Sequence, residues 1–223
     1  MINVTIIGTG NVAFHLSEVF LKNQKINLVE ICGRKKNLPS EFNDFIDYSN
    51  SIFKLKKSDF YIISVSDEQI ENISKNLNVD DSSIVLHCSG STSINELSNH
   101  CSHGVFYPLQ TFSIKKSINF SNIPIIIEGN SYKNLNKIKD LALMLSKKVL
   151  EASSKQRLAI HVSAVFTNNF TNYMRIVADE ILKSNKIDAK ILNPLTFETS
   201  DKLKHLSSKD AQTGPALRND LKT

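Results

Sequence analysis

The sequence predicts an α/β protein in which a doubly wound parallel sheet is followed by a smaller all-helical domain. Three observations predict it. A strand, a glycine turn and a helix open the chain; brief, nearly continuous apolar runs recur as far as about residue 150; beyond that, one long helical pattern takes over. Runs that are apolar throughout, without polar alternation, mark strands covered on both faces, as crossover helices cover a parallel sheet.

Ile2 to Ile7 is a β-branched run, followed by Gly8-Thr9-Gly10-Asn11-Val12-Ala13 and then by Val12, Leu16, Val19 and Phe20 at helical spacing. Later strands are read at Leu28–Cys32, Phe60–Val65, Ile84–Cys88, Gly104–Tyr107, Pro124–Ile127 and Lys147–Leu150. From Ser154, taken as an N-cap, a single helix is expected to run to about Lys183, carrying Leu158, Val162, Val165, Phe166, Phe170, Tyr173, Ile176, Val177 and Ile181 as its apolar positions. The expected division is residues 1–152 for the sheet domain and 153–223 for the helical one.

Composition narrows the function classes. The 223 residues carry 27 Lys and Arg against 22 Asp and Glu, a net charge of +5. These cations are scattered, apart from Arg34-Lys35-Lys36 and Lys54, Lys56 and Lys57, which fits a solvated surface better than a nucleic-acid stripe. Three cysteines, Cys32, Cys88 and Cys101, have neither redox nor metal spacing and read as free thiols of a reducing compartment. No metal, nucleic-acid or membrane site is expected, and the protein is placed in the cytoplasm, because no apolar run reaches a membrane span.

A Gly-x-Gly-x-x-Ala turn between a strand and a helix lets the backbone approach a diphosphate, while the helix start presents amides and partial positive charge. Gly8, Gly10, Asn11 and Val12 are therefore the expected diphosphate turn, with Ala13 small enough for helix to pack on strand. An acid at the end of the second strand would hold a ribose diol. Here that place holds Gly33-Arg34-Lys35-Lys36, and Glu30 lies too early. A guanidinium at Arg34 suits a 2′-phosphate, which selects NADP over NAD. Ligands of doubly wound sheets sit past the carboxyl ends of the strands. Ser64, Ser66 and Ser89 are accordingly expected beside the ribose and nicotinamide, and Gln110 near the substrate. On the long helix His161, Asn168 and Asn172 are seven and four residues apart and share one stripe, with Asn169 beside it.

These motifs, with Ser89-Gly90-Ser91, Tyr107-Pro108-Leu109-Gln110-Thr111-Phe112, the segment His161–Phe170 and Gln212–Asp220, resemble a bacterial family of Rossmann-like NADP oxidoreductases whose C-terminal part is a domain of unknown function. The resemblance spans essentially the whole chain. More distantly it is similar to pyrroline-5-carboxylate reductase, deazaflavin-dependent NADP reductases and β-hydroxyacid dehydrogenases. It implies a helical domain that forms a homodimer, and a further C-terminal helix beyond Thr223. In the β-hydroxyacid dehydrogenases a catalytic lysine precedes an Asn-Asn pair by one helical turn; Ala164 holds that place here.

The expectation is an NADP(H)-dependent oxidoreductase acting on a small carbonyl, imine or hydroxy compound. His161 would handle the proton, Asn168 would polarise or orient the substrate, and Asn169, Gln110 and Arg218 would contact it. The alternative is a non-catalytic NADP(H)-binding redox sensor acting through a protein partner.

Overall fold

A computed structural model of the chain describes residues 1–43 and 46–220. It divides into two compact units, Met1–Val165 and Phe166–Thr223.

Among the described residues the first unit is built on eight strands: β1 (Ile2–Ile7), β2 (Ile26–Cys32), β3 (Tyr48–Ser49), β4 (Phe60–Ile63), β5 (Ile84–His87), β6 (His103–Pro108), β7 (Ile125–Gly129) and β8 (Val149–Glu151). They form one sheet in the order β3-β2-β1-β4-β5-β6-β7-β8. Helices α1 (Asn11–Leu21), α2 (Asp67–Asn76) and α3 (Tyr132–Leu143) connect strands that pair or lie in parallel. The order reverses between β1 and β4, which opens a crevice past their carboxyl ends.

The strand runs are apolar on both faces because both faces are covered. Val4, Ile6, Ile62 and Leu86 join Leu16 and Phe20 of α1 and Ile138 of α3 in one core, whereas Ile7, Ile63 and Val85 join Ile70 of α2 in another. Neighbouring residues thus serve opposite layers, as the period of two in a strand requires. Each such side chain, when fully buried, contributes about 1.5–3 kcal/mol.

The sheet is mostly parallel, with one departure from expectation: β7 runs antiparallel to β6. No α-helix lies between Pro108 and Ile125, so the chain turns back instead of crossing over. β3 escapes a sequence reading because two residues carry no periodicity.

Helix α4 (Ser154–Ala164) belongs to the first unit. Its N-cap is Ser153, not Ser154: Ser153 accepts from the Gln156 amide while Gln156 accepts from the Ser153 amide. Ser154 instead gives its hydroxyl to Glu128 at 2.8 Å. The single long α-helix expected from Ser154 is also corrected. A π-helical segment, Val165–Phe170, separates α4 from α5 (Thr171–Ser184). The wider π turn breaks the 3.6-residue count on which one stripe through His161, Asn168 and Asn172 was drawn.

In the second unit, α5 is followed by α6 (Asn193–Lys202), α7 (Ser208–Ala211) and α8 (Pro215–Arg218). Arg175 fastens α5 to α6. Its guanidinium bonds Asp179 at 2.6 Å, Ala189 O and Asn193 Oδ1 at 2.9 Å, and Thr196 Oγ1 at 3.0 Å. Many apolar side chains of this unit, among them Phe166, Phe170, Tyr173 and Ile181, are exposed. Among the described residues no helix is long and apolar enough to cross a membrane.

Candidate active site

The glycine turn closes against β4. Gly8 has φ +132°, and a Cβ there would lie 2.0 Å from Ser64 O and 2.7 Å from its carbonyl carbon. Only glycine fits, on conformational and steric grounds alike. Gly10 is the N-cap of α1 in extended backbone (φ −87°, ψ −174°), with no side-chain cap and no acid in the first helical turn. The amides at the start of α1 are therefore left for an external acceptor. A Cβ at Gly10 would meet nothing within 4 Å. Ala13 is fully buried, so helix and strand pack as closely as expected.

Above this turn is a cavity of ≈ 720 Å³, within the range of small-molecule sites. Gly8, Gly10, Asn11, Val12, Arg34, Ser64 and Ser66 all border it. Sequence reasoning missed Thr9, Phe53 and Gln69, which also line it. Phe53 sits on a one-turn 3-10 helix, Ile52–Lys54, whose start is capped by Ser51; a three-residue element of that kind leaves no hydrophobic period to detect.

The rim beyond β2 is basic. Glu30 is buried in the strand, where it accepts a hydrogen bond from the Lys56 amide, so its carboxylate is committed away from the cavity. Arg34 is exposed at the cavity edge, and among the described residues no acid pairs with it. Its loop is held in place: Tyr48 Oη donates to Lys35 O at 2.7 Å, and Gly33 fits between Thr9 and Tyr48, whose atoms would stand 2.7 and 2.8 Å from a Cβ. Cys32 also borders the cavity, and burial followed by the nearby Glu30 charge pushes its thiol up to about 11, leaving it neutral.

The loops at the strand ends divide in function. Ser64 and Ser66 face the cavity. Ser89 does not; its oxygen accepts from the amides of Ser91 at 3.1 Å and Thr92 at 3.0 Å, which folds its own loop. Gln110 does not line the cavity either; its exposed side chain accepts from the Thr111 amide at 2.8 Å. The 109–113 loop is drawn to α1 by Asn11 Nδ2, 2.9 Å from Phe112 O, and by His15 Nε2, 3.0 Å from Ser113 O.

His161 has a partner that sequence reasoning did not identify. Its Nδ1 is 2.9 Å from Tyr107 Oη, and the two rings meet edge to face at 5.8 Å. Tyr107 comes from the end of β6, and Gly90 packs against both rings. Nearby, Ser91 Oγ donates to Asp67 at 2.5 Å. Burial, then the Asp67 charge, raises the Tyr107 phenol above its usual range.

One turn before His161, the fully buried Arg157 anchors α4, pairing with Glu128 and donating to Thr92 O at 2.5 Å and Ser154 Oγ at 3.2 Å. Asn168 and Asn169 are exposed in the π segment, and Arg218 is exposed on α8; all three belong to the second unit. Among the described residues no cluster of His, Cys, Asp or Glu could hold a metal ion.

This chain is similar over 98% of its length, at 32% identity and a TM-score of 0.87, to the crystal structure of a "putative NADP oxidoreductase" from Bacteroides fragilis, 86% of which it covers. The chain belongs to that protein's family. Its residues 123–223 match the family model described as a domain of unknown function, DUF2520. Family membership agrees with the Rossmann-like sheet and the Gly8–Ala13 turn. A Thermotoga maritima protein shares the fold at 22% identity and a TM-score of 0.80, with 98% of this chain and 86% of that one covered. So does a Plasmodium falciparum pyrroline carboxylate reductase solved with NADP bound, at 14% identity and a TM-score of 0.64, with coverage of 96% and 85%. No curated protein sequence matches this one.

Proposed function

We propose that this protein is an NADP(H)-dependent oxidoreductase acting on a small carbonyl, imine or hydroxy compound. One observation carries the reading: an uncapped helix start behind Gly8 and Gly10 faces a ≈ 720 Å³ cavity whose rim offers Arg34, paired with no acid among the described residues. Backbone amides of the turn would take the diphosphate, Arg34 the 2′-phosphate, and Ser64 and Ser66 the ribose and nicotinamide side. Ser89 would act through the shape of its loop. The coenzyme supplies a hydride acceptor or donor. His161 handles the accompanying proton, Asn168 orients the substrate, and Asn169, Gln110 and Arg218 contact it. The family relationship supports both cofactor and reaction class.

The helical part, residues 153–223, would supply substrate contacts and a homodimer interface. The second unit has no buried side chain among its described residues, and a unit of that size without a core needs another surface to bury its apolar face. Free thiols and the absence of a membrane-crossing helix among the described residues fit a cytoplasmic location.

A screen of small carbonyl, imine and hydroxy compounds, followed by nicotinamide absorbance, tests the reading. Once a substrate is found, His161→Ala is expected to lower turnover by roughly a hundredfold or more while NADPH binding persists. Unchanged turnover would remove His161 from the chemistry. Ala164, in the place of the dehydrogenase lysine, favours a second reading, a redox sensor working through a protein partner. That reading expects tight coenzyme binding with no turnover of any compound in the screen.

A further inference from the structure

The two ring nitrogens of His161 differ. Nδ1 is engaged by Tyr107 Oη at 2.9 Å, whereas among the described residues Nε2, on a half-buried ring, has no hydrogen-bond partner. Gly90 closes a third side: a Cβ there would stand 2.5 Å from Nδ1, 2.7 Å from Cγ and 2.8 Å from Tyr107 Cζ. The ring is held between a strand end and a loop, and its helix is anchored by the buried Arg157.

We propose that Tyr107 is a positioning residue that keeps a proton on Nε2 of His161, so that the site takes a substrate atom with a lone pair, the oxygen of a carbonyl or the nitrogen of an imine, and works as a reductase. The proposal rests on the reading of His161 as proton donor. A phenol both donates and accepts. Beside a neutral imidazole the phenol is the stronger acid, so its O–H donates to Nδ1 and the ring's one proton resides on Nε2. Beside an imidazolium the phenol oxygen accepts from Nδ1–H, and Nε2 again bears a proton. A carboxylate in the same place would hold Nδ1–H and leave a lone pair on Nε2, the arrangement of a base. Burial and Asp67 favour the protonated phenol, so Tyr107 keeps its own proton and is not the proton source.

For a carbonyl the step balances as follows. A hydride from the reduced nicotinamide coenzyme forms the new C–H bond, the C=O π pair moves to oxygen, and that oxygen takes the Nε2 proton of the imidazolium. The ring is left briefly as the Nδ1–H tautomer that Tyr107 disfavours, with Nδ1–H donating to the phenol oxygen, and a proton taken up at Nε2 from solvent restores the imidazolium.

Histidine-labelled ¹⁵N NMR at about pH 9, where imidazoles are neutral, reads the tautomer without any substrate; His161→Gln assigns the signals. The expected spectrum has His161 with a protonated Nε2 and an unprotonated Nδ1. Tyr107→Phe keeps the ring against Gly90 and is expected to collapse the two signals toward a tautomer average. A wild-type Nδ1–H tautomer, or an unchanged tautomer in Tyr107→Phe, would overturn the positioning role. If the variant does not fold, the wild-type spectrum still decides. Turnover of alcohols with NADP and none of carbonyls or imines with NADPH would overturn the direction. An Nε2–H tautomer in a protein that turns over neither class would overturn the oxidoreductase reading, and the substrate class with it, while the positioning of the ring stood.

Discussion

Gly8 and Gly10 are two residues apart in the same turn, yet replacing each with alanine has opposite consequences. At Gly8 the new methyl would lie 2.0 Å from Ser64 O, a backbone atom, on a residue held at φ +132°. Backbone strain there costs about 1–3 kcal/mol, and forcing β4 away from β1 about 1–3 kcal/mol more. A central value of about 4 kcal/mol lowers Tm by roughly 8–16 °C for a chain of this size. At Gly10 the methyl meets nothing within 4 Å, and φ −87° suits alanine. The fold loses only about 1 kcal/mol from the poorer N-cap, but the methyl stands where a diphosphate would approach the amides. Differential scanning fluorimetry with and without NADPH separates the two effects. Gly8→Ala should melt far below wild type; Gly10→Ala should melt within a few degrees of it yet lose the NADPH-induced shift, which at a hundredfold excess over Kd amounts to about 2.7 kcal/mol for an intact site. Wild-type Tm for Gly8→Ala would refute the steric reasoning, and an undiminished NADPH shift for Gly10→Ala would remove the helix start from the binding site.

Two further outcomes are expected. His87 is buried, and desolvation followed by the Arg157 charge lowers its pKa to about 3. Because the unfolded chain binds this proton near 6.5 and the folded chain does not, the stability this group contributes is complete above about pH 6.5 and declines as pH falls toward 3. Its share is about 2 kcal/mol by pH 5, and urea titrations should show a shallower decline between pH 6.5 and 5 in His87→Gln. In light scattering coupled to gel filtration the protein should run at about twice 25.0 kDa, and Phe170→Glu, on the exposed apolar face, should shift it to the monomer; a monomeric wild type would contradict the homodimer proposal.

The sheet was legible because most strands contain a short apolar run rich in β-branched residues, and the turn because Gly-x-Gly after a strand has a mechanical reason to exist. Seven of the residues that border the cavity were expected from those features and the strand-end loops, Arg34 included. The strand β3 and the antiparallel direction of β7 were illegible because each is fixed by long-range pairing instead of a local pattern, and the 3-10 turn bearing Phe53 because it is too short to show a period. Tyr107 was in view as part of a loop motif, but its bond to His161 spans 54 residues and no periodicity encodes it. The π segment was missed because Val165–Phe170 is helical in composition and departs only in its hydrogen-bond register.

Calorimetric titration of the wild-type protein and Arg34→Gln with NADPH and NADH is the most direct test of the central claim. The account expects wild type to prefer NADPH by roughly ten- to a hundredfold, the worth of charge-assisted bonds to one phosphate, and Arg34→Gln to lose that preference while its NADH affinity is unchanged. Equal affinities in the wild type, or no heat with either coenzyme, would contradict it.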